Sequence, residues 1–357
     1  LLDNLKIGAK VNAGFSDQSS GQMGSLYYSN GAFAMWNILP WTPAYDENGG
    51  HNLDLPNNSN TNPRQVAEYD DYNDKSYRFQ GSMYAEYKPI EKVTIKSTNG
   101  AEMSYVNSRQ YWSPEANDGT STLWLTRTES YRLTTSNTVT YNDTYADKHS
   151  LRVLAGQEAQ VDNYSWLQGY SPDVDPAIPF PNTGNAASDE VGYGESAETL
   201  LSFFGLADYS FDSKYYLQGS VRYDGSSLFG NNTKWGLFWS ASASWNLHNE
   251  NWLKDVKWLN TLKLRASYGI NGNNNIGRYL AYGLYATNGY NGMTGMLPSR
   301  VANPDLSWEK NKSWNVGVDF AFIDRINGSI EVYNRRTDDM LLAKQVPQTS
   351  GFSSNFM

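Results

Sequence analysis

Three histidines, His51, His149 and His248, are the chain's readiest acid–base and metal-ligating groups, and they are scattered rather than paired. With no cysteine in the chain and no histidine pair at ligand spacing, no zinc site is expected, and no other metal or cofactor either. The carboxylate pairs Asp70-Asp71 and Asp338-Asp339 fall in stretches that read as loops, where acidic pairs are ordinarily solvated. Gly225-Ser226-Ser227 lacks the G-x-S-x-G pattern of a nucleophile elbow. Asp46-Glu47-Asn48-Gly49-Gly50 has the look of a calcium loop, but the full pattern and its closing glutamate are not met, so a turn is expected. The chain does not read as an enzyme. What remains is aromatic: Tyr111, Trp112, Trp124, Trp166 and Tyr170 lie in expected outer loops. Their faces could pack on sugar rings or apolar peptide side chains in weak, multi-point binding. Alternatively they pack the loops against one another or against a partner protein.

The elements that would position these residues are strands. In 215–224, Tyr215, Leu217, Gly219, Val221 and Tyr223 alternate with Tyr216, Gln218, Ser220, Arg222 and Asp224. In 235–247, Trp235, Leu237, Trp239, Ala241, Ala243, Trp245 and Leu247 share one face. A helix would scatter these residues, whereas a strand sorts them onto two faces. The same sorting recurs in eleven segments: 5–15, 77–88, 93–105, 127–141, 149–162, 201–211, 215–224, 235–247, 261–270, 313–323 and 328–336. Opposite the apolar faces lie Lys6, Lys10, Arg78, Glu86, Lys96, Glu102, Arg132, Arg152, Glu158, Asp208, Arg222, Lys263, Arg265 and Asp319. Lipid on one side and water on the other demands such an asymmetry.

Connections alternate too. Short ones fall at 89–92, 142–148, 212–214 and 324–327, with a longer one at 249–260 in the same series. Long ones fall between them at 16–76, 106–126, 163–199 and 271–312, with one shorter loop at 225–234. Up-and-down membrane barrels have short periplasmic turns and long extracellular loops in that alternation. Phe15, Tyr77, Tyr87, Tyr105, Tyr141, Phe211, Tyr215, Tyr223, Trp235, Trp245, Trp314 and Phe322 sit near the ends of the apolar faces, where interfacial girdles belong. Composition agrees: aromatic residues make up 14% of the 357 residues, with 26 Tyr and 12 Trp. Mean hydropathy is −0.62, and no apolar run reaches the ~18 residues of a membrane helix. A net charge of −9 argues against nucleic acid as a partner. The expected fold is all-β, a transmembrane antiparallel up-and-down barrel wall in the outer membrane of a Gram-negative bacterium, with the lipid bilayer as its surroundings. Eleven strands would leave open edges in lipid, so residues 1–357 are expected to be one partial barrel domain.

Several stretches resemble the SusC/RagA family of TonB-dependent outer-membrane transporters. They are Leu5-Lys6-Ile7-Gly8, Tyr84-Ala85-Glu86-Tyr87 with Pro89, and 214–227, which runs from Lys214-Tyr215-Tyr216 to Asp224-Gly225-Ser226-Ser227. Further on come Leu262-Lys263-Leu264-Arg265-Ala266-Ser267-Tyr268-Gly269 with Asn271-Gly272-Asn273, and Asn303-Pro304-Asp305-Leu306-Ser307-Trp308-Glu309. The motifs keep the family's order over nearly the whole chain. The resemblance implies a barrel of about 22 strands, an N-terminal plug, coupling to the TonB complex and a SusD-like surface lipoprotein as a lid. On that implication the plug and terminal strands are absent here, and the function is active import of oligosaccharides or peptides. A passive porin-like or structural barrel is the alternative. No loop motif matches a ligand signature, so no family binding residue carries over.

Overall fold

The computed structural model describes residues 4–20, 36, 38–55, 62–117, 119–184, 186–352 and 354–356. Its strands, in chain order, are β1 (Leu5–Ser19), β2 (Asp71–Ile90), β3 (Val93–Trp112), β4 (Thr122–Tyr145), β5 (His149–Pro172), β6 (Glu190–Phe211), β7 (Tyr215–Ser226), β8 (Trp235–Asn246) and β9 (Leu259–Asn273). There follow a hairpin of β10 (Leu284–Tyr290) and β11 (Met293–Arg300), then β12 (Glu309–Phe322), β13 (Ile326–Asp338), and a short pair, β14 (Ala343–Gln345) and β15 (Ser354–Phe356). Eleven of these form one antiparallel sheet in the order β1-β2-β3-β4-β5-β6-β7-β8-β9-β12-β13. All eleven expected segments are therefore present as neighbouring strands. Among the described residues β1 pairs only with β2, and β13 only with β12, so the two do not close on each other.

Register follows from the two-faced pattern. Tyr215, Leu217, Val221 and Tyr223 of β7 lie opposite Trp245, Ala243, Trp239 and Leu237 of β8. Leu264 lies between Trp245 and Val318. A slip of one residue would turn every one of these side chains to the other face. The outward apolar residues are bare in the isolated chain, with Ile7 68% and Leu237 57% exposed, because their solvent is lipid. Tight turns fix the register at the short-connection end. Ala146 and Asp147, Asp212 and Ser213, and Ile323 and Asp324 all have positive φ, as type I′ hairpins require. Ile323 is a β-branched residue in that region; its amide donates to the Trp258 carbonyl at 2.9 Å, which helps to hold it there.

Two aromatic belts mark the edges of the apolar band. Phe15, Tyr77 and Tyr105 form a chain at 5.1 and 6.3 Å, and Tyr223 stacks on Trp235 at 4.8 Å. At the short-turn end, Phe211, Tyr215 and Trp245 stack at 6.3 and 6.0 Å. Tyr215 and Tyr223 are about 26 Å apart along β7, which suits an apolar band of about 25 Å flanked by girdles once strand tilt is allowed for.

Above the upper belt the strands continue, but the outer face changes chemistry. Asp17 pairs with Lys75 at 3.5 Å, and Asp71 pairs with Arg109. Arg127 and Glu129 also fall on the outer face of β4, opposite Leu167 and Ser165. The strands therefore overrun their expected ends, and the long connections shrink to 20–70, 113–121, 173–189, 227–234 and 274–308. The first of these carries a short helix, α1 (Pro63–Tyr69), capped by the Asn62 side chain, which accepts from the Arg64 amide at 2.9 Å.

Arginine at Leu264 or Val318, at mid-strand on the lipid face, is expected to cost about 2–4 kcal/mol of folding stability in bilayers. Arginine at Ser267, on the inner face, is expected to cost far less. Gly317 is no clean control, because a Cβ there would meet the Arg265 guanidinium at 2.9 Å. Refolding titrations into lipid vesicles check this; equal losses at Leu264 and Ser267 would refute the assignment of faces.

Candidate functional site

The inner face is polar, and several of its charges pair across strands. Lys6, Glu86 and Lys96 lie in one cross-strand row, and Glu102, Arg132, Asp162 and Glu198 in another. Arg132 holds Asp162 at 2.5 Å. Arg222 donates to Glu158 at 3.1 Å, Asp224 at 2.7 Å and Ser202 at 2.8 Å. Arg265 pairs with Asp319 at 3.2 Å and with Glu331. Opposite charges facing across a sheet support its register. Toward the short turns this wall encloses a concavity of about 1240 Å³, lined by Lys92, Arg152, Asp208, Gln218, Lys263 and Arg265 among others.

At the long-loop end, two connections, 227–234 and 274–308, fold into the lumen against β8. Phe229, Leu280, Ala281, Leu306 and Trp308 bury one another around Phe238, an apolar residue on the otherwise polar face. Phe229 is fully buried, and its ring lies 4.9 Å from that of Trp308. The Trp308 indole donates to the Lys234 carbonyl at 3.0 Å, and the Thr233 hydroxyl to the Leu306 carbonyl at 2.6 Å. Gly230 passes so close to Pro304 that a Cβ would sit 1.8 Å from its carbonyl oxygen, so only glycine fits. Gly236 and Gly272 leave the space that the Phe238 ring fills. Arg278 then carries the loop across to β6, reaching Glu198 at 3.1 Å and the Ser196 hydroxyl at 2.8 Å. Sequence reading missed this platform. Its signal was present in Asn303-Pro304-Asp305-Leu306-Ser307-Trp308-Glu309, a loop with a tryptophan that needed a partner.

The five aromatic candidates are not in loops. Tyr111 and Trp112 end β3, Trp124 lies in β4, and Trp166 and Tyr170 lie in β5. The sequence criterion failed because the outer face above the bilayer stops being apolar while backbone pairing goes on. The structure brings four of them to one face. Trp124 and Tyr170 are cross-strand partners with rings 4.4 Å apart. Trp112 and Trp166 alternate onto the same inner face, and Trp166 lies against Gly192 and Gly194. Tyr111 faces the other way; it is 6% exposed and packs on Leu123 and Val174. Beside them, three buried polar atoms have no partner among the described residues: the Trp112 indole nitrogen, the Tyr72 hydroxyl and one Asp70 oxygen. Burial pushes the Asp70 carboxyl above the usual range, although it accepts from the Ser113 amide at 2.8 Å.

The remaining candidates have structural partners. The Nδ1 atom of His149 is 2.7 Å from the Tyr209 hydroxyl, that of His248 accepts from the Leu262 amide at 3.2 Å, and Nε2 of His51 is 3.3 Å from Glu68. Among the described residues no three acidic or histidine side chains could share a metal. Asp46 accepts from the amides of Asn48 and Gly50 at 2.8 Å each, which makes it a turn as expected. Asp338 and Asp339 pair with Lys312 and Lys310 at 2.7 and 3.1 Å. Ser226 is 2% exposed and its hydroxyl accepts from the Leu228 amide at 3.2 Å.

The sequence profile of the TonB dependent receptor-like, beta-barrel family matches residues 12–356. TonB-dependent receptor P39 of Formosa agariphila is 36% identical over 228 residues, which cover 63% of this chain and 22% of the relative. TonB-dependent receptor SusC of Bacteroides thetaiotaomicron is 41% identical over 165 residues, covering 44% of this chain and 16% of the relative. The structure of the RagAB peptide importer in its closed-closed state superposes over the whole chain with a TM-score of 0.87 and 25% identity, and the chain covers 41% of it. The chain thus spans less than half the length of each of these proteins.

Replacing Trp308 by alanine removes a buried indole from the loop platform, a loss of about 3–5 kcal/mol. The loss is expected to fall on the mouth and not on the sheet. Limited proteolysis should cut 227–234 and 274–308 sooner, while resistance of the barrel to heat in detergent stays unchanged. Loss of that resistance would mean that the platform supports the sheet itself.

Proposed function

Because the chain belongs to the TonB-dependent receptor-like β-barrel family, we propose that it forms the wall and mouth of an outer-membrane active importer of SusC/RagA type. The substrate is an oligosaccharide or a peptide. The observation that carries this reading is the inner wall: a face of paired charges around a concavity of about 1240 Å³, beneath a mouth narrowed by a loop platform. A surface rich in fixed, oriented polar groups suits an interior filled by another polar protein body, which the family supplies as a plug. On this reading residues 1–357 are part of the barrel domain, and plug and further strands complete it. Energy comes through the TonB complex, which acts on the plug side.

A SusD-like lipoprotein closes the mouth, docking on the rim made by the β3–β4 and β5–β6 hairpins, residues 38–55 and 62–70, and the loop at 274–308. Trp112, Trp124, Trp166 and Tyr170 face the interior below that rim and are the candidates for substrate contact, with Tyr111 bracing the hairpin from outside. RagAB is a peptide importer, which supports the peptide half of the reading; the aromatic residues suit either substrate.

In the native host, deleting TonB or collapsing the proton gradient is expected to abolish uptake of the cognate ligand. Uptake that persists would establish the passive, porin-like alternative. Shortening the loop at 173–189 should separately weaken co-purification of the lid lipoprotein while the barrel keeps its heat resistance. Lid binding that survives two such loop deletions would defeat the docking assignment.

A further inference from the structure

The inner wall has several charge-free stretches, all of β8 and inner-face positions 134–144 of β4 among them; one further stretch is lined by several aromatic rings. Above the row Glu102, Arg132, Asp162 and Glu198, inner-face positions 104–112 of β3, 122–130 of β4 and 164–172 of β5 carry no charged side chain. They carry hydroxyls, amides and aromatic rings instead. The Gln168 amide donates to the Thr126 hydroxyl at 3.1 Å, between the aromatic level of Trp124 and Tyr170 above and that of Trp166 below. Tyr170 and Trp166 are four residues apart, about 13 Å along the strand.

The floor under Trp166 is built for a flat ring. Its cross-strand partner is Gly194. A Cβ on Gly194 would lie 2.3 Å from the indole nitrogen, and one on Gly192 would lie 3.0 Å from the ring's far edge. Two glycines in place of side chains let the indole rest on the backbone of β6. The ring face turned from that backbone is thereby left toward the lumen. Next to the upper aromatic level the Trp112 indole nitrogen and the Tyr72 hydroxyl are buried without partners among the described residues, and Tyr72 is 7% exposed. A buried donor without an acceptor is costly, and such groups in a native protein call for a further partner. The charges that border the panel above are acidic: Glu190 stands opposite Tyr170, and Asp70 precedes Tyr72.

Resting on the importer reading above, we infer that this panel is a selectivity surface for uncharged sugar units. A pyranose ring presents an apolar C–H face to an indole, while its hydroxyls meet Thr126, Thr128, Ser130 and Gln168 around it. The aromatic levels, about 13 Å apart, hold units that are not adjacent but separated along one chain, so the ligand is an extended oligosaccharide. Sulfated or uronic acid units are rejected: the panel itself carries no cation, the arginines at its lower border, Arg132 and Arg278, are already held by Asp162 and Glu198, and the carboxylates of Asp74 and Glu190 flank it. Peptides lose as well, since their terminal charges find no counter-ion there.

The test uses the full-length receptor purified from outer membranes, titrated with neutral gluco-, galacto- and manno-oligosaccharides, their sulfated counterparts, and uncharged-side-chain hexapeptides, read by calorimetry. At least one neutral oligosaccharide is expected to bind, and its sulfated form at least about tenfold more weakly. Trp166→Ala should weaken the neutral ligand about tenfold, and Trp166→Phe should recover most of that. Gly194→Val, which lifts the indole off its floor, should weaken it too; unchanged heat resistance shows that each variant is folded. Binding of hexapeptides that depends on Trp166, equal binding of neutral and sulfated sugars, indifference to Trp166→Ala, or failure of every neutral oligosaccharide to bind would each overturn the inference. TonB-dependent peptide uptake would leave the importer reading standing while the sugar panel falls. Uptake indifferent to TonB would remove the importer reading alone, because the binding measurement does not depend on it.

Discussion

In hydrocarbon no water is available to satisfy a free amide or carbonyl, and that single constraint orders the rest of this structure. It forces the chain to cross as strands that bond to their neighbours in sequence, which is why β1 to β9, β12 and β13 follow one another across the sheet with only short or looped connections between them. It also makes register nearly rigid. Once Leu264 must sit between Trp245 and Val318 on the lipid side, Arg265 must face inward, and its partners Asp319 and Glu331 are fixed by the same choice. The two belts of aromatic rings follow at the heights where lipid gives way to water.

Where the constraint lifts, the architecture changes. Above Phe15, Tyr77 and Tyr105 the sheet continues with Asp17, Lys75, Asp71 and Arg109 on its outer face, so the wall becomes a water-exposed rim. Rim strands can carry polar groups on both sides. That freedom lets β3, β4 and β5 use their inner positions for neutral aromatic and hydroxyl groups, with Tyr111, Leu123 and Val174 packing behind them. The same freedom permits the platform at β8, where the core lies in loops instead of between layers of sheet. Phe229, Leu306 and Trp308 belong to connections that cannot bury apolar surface alone and do so against one another. Glycines at 230, 236 and 272 set how closely they approach.

Electrostatics divides the interior into regions with different tasks. The lower wall pairs charges such as Arg222 with Glu158 and Arg265 with Asp319 across strands and surrounds the large concavity. The upper wall between β3 and β5 is neutral, and at its border the arginines Arg132 and Arg278 are paired with Asp162 and Glu198. Both properties arise from the same strands, which change character at the row of Glu102, Arg132 and Asp162.

Sequence by itself determined the strand count, their order, the inner and outer faces and the alternation of short and long connections. All of these express the period of two, which lipid enforces residue by residue. It did not determine where the strands end, since alternation fades at the bilayer surface while hydrogen bonding between strands does not; Trp112, Trp124, Trp166 and Tyr170 were read as loop residues for that reason. Nor could it place α1 or the hairpin of β10 and β11 within their loops. Only the tertiary structure decided that Trp124 meets Tyr170, that Trp166 rests on Gly192 and Gly194, and that Trp308 packs with Phe229. Those contacts depend on register and on loop crossings between residues tens of positions apart, where no local preference along the chain carries the information.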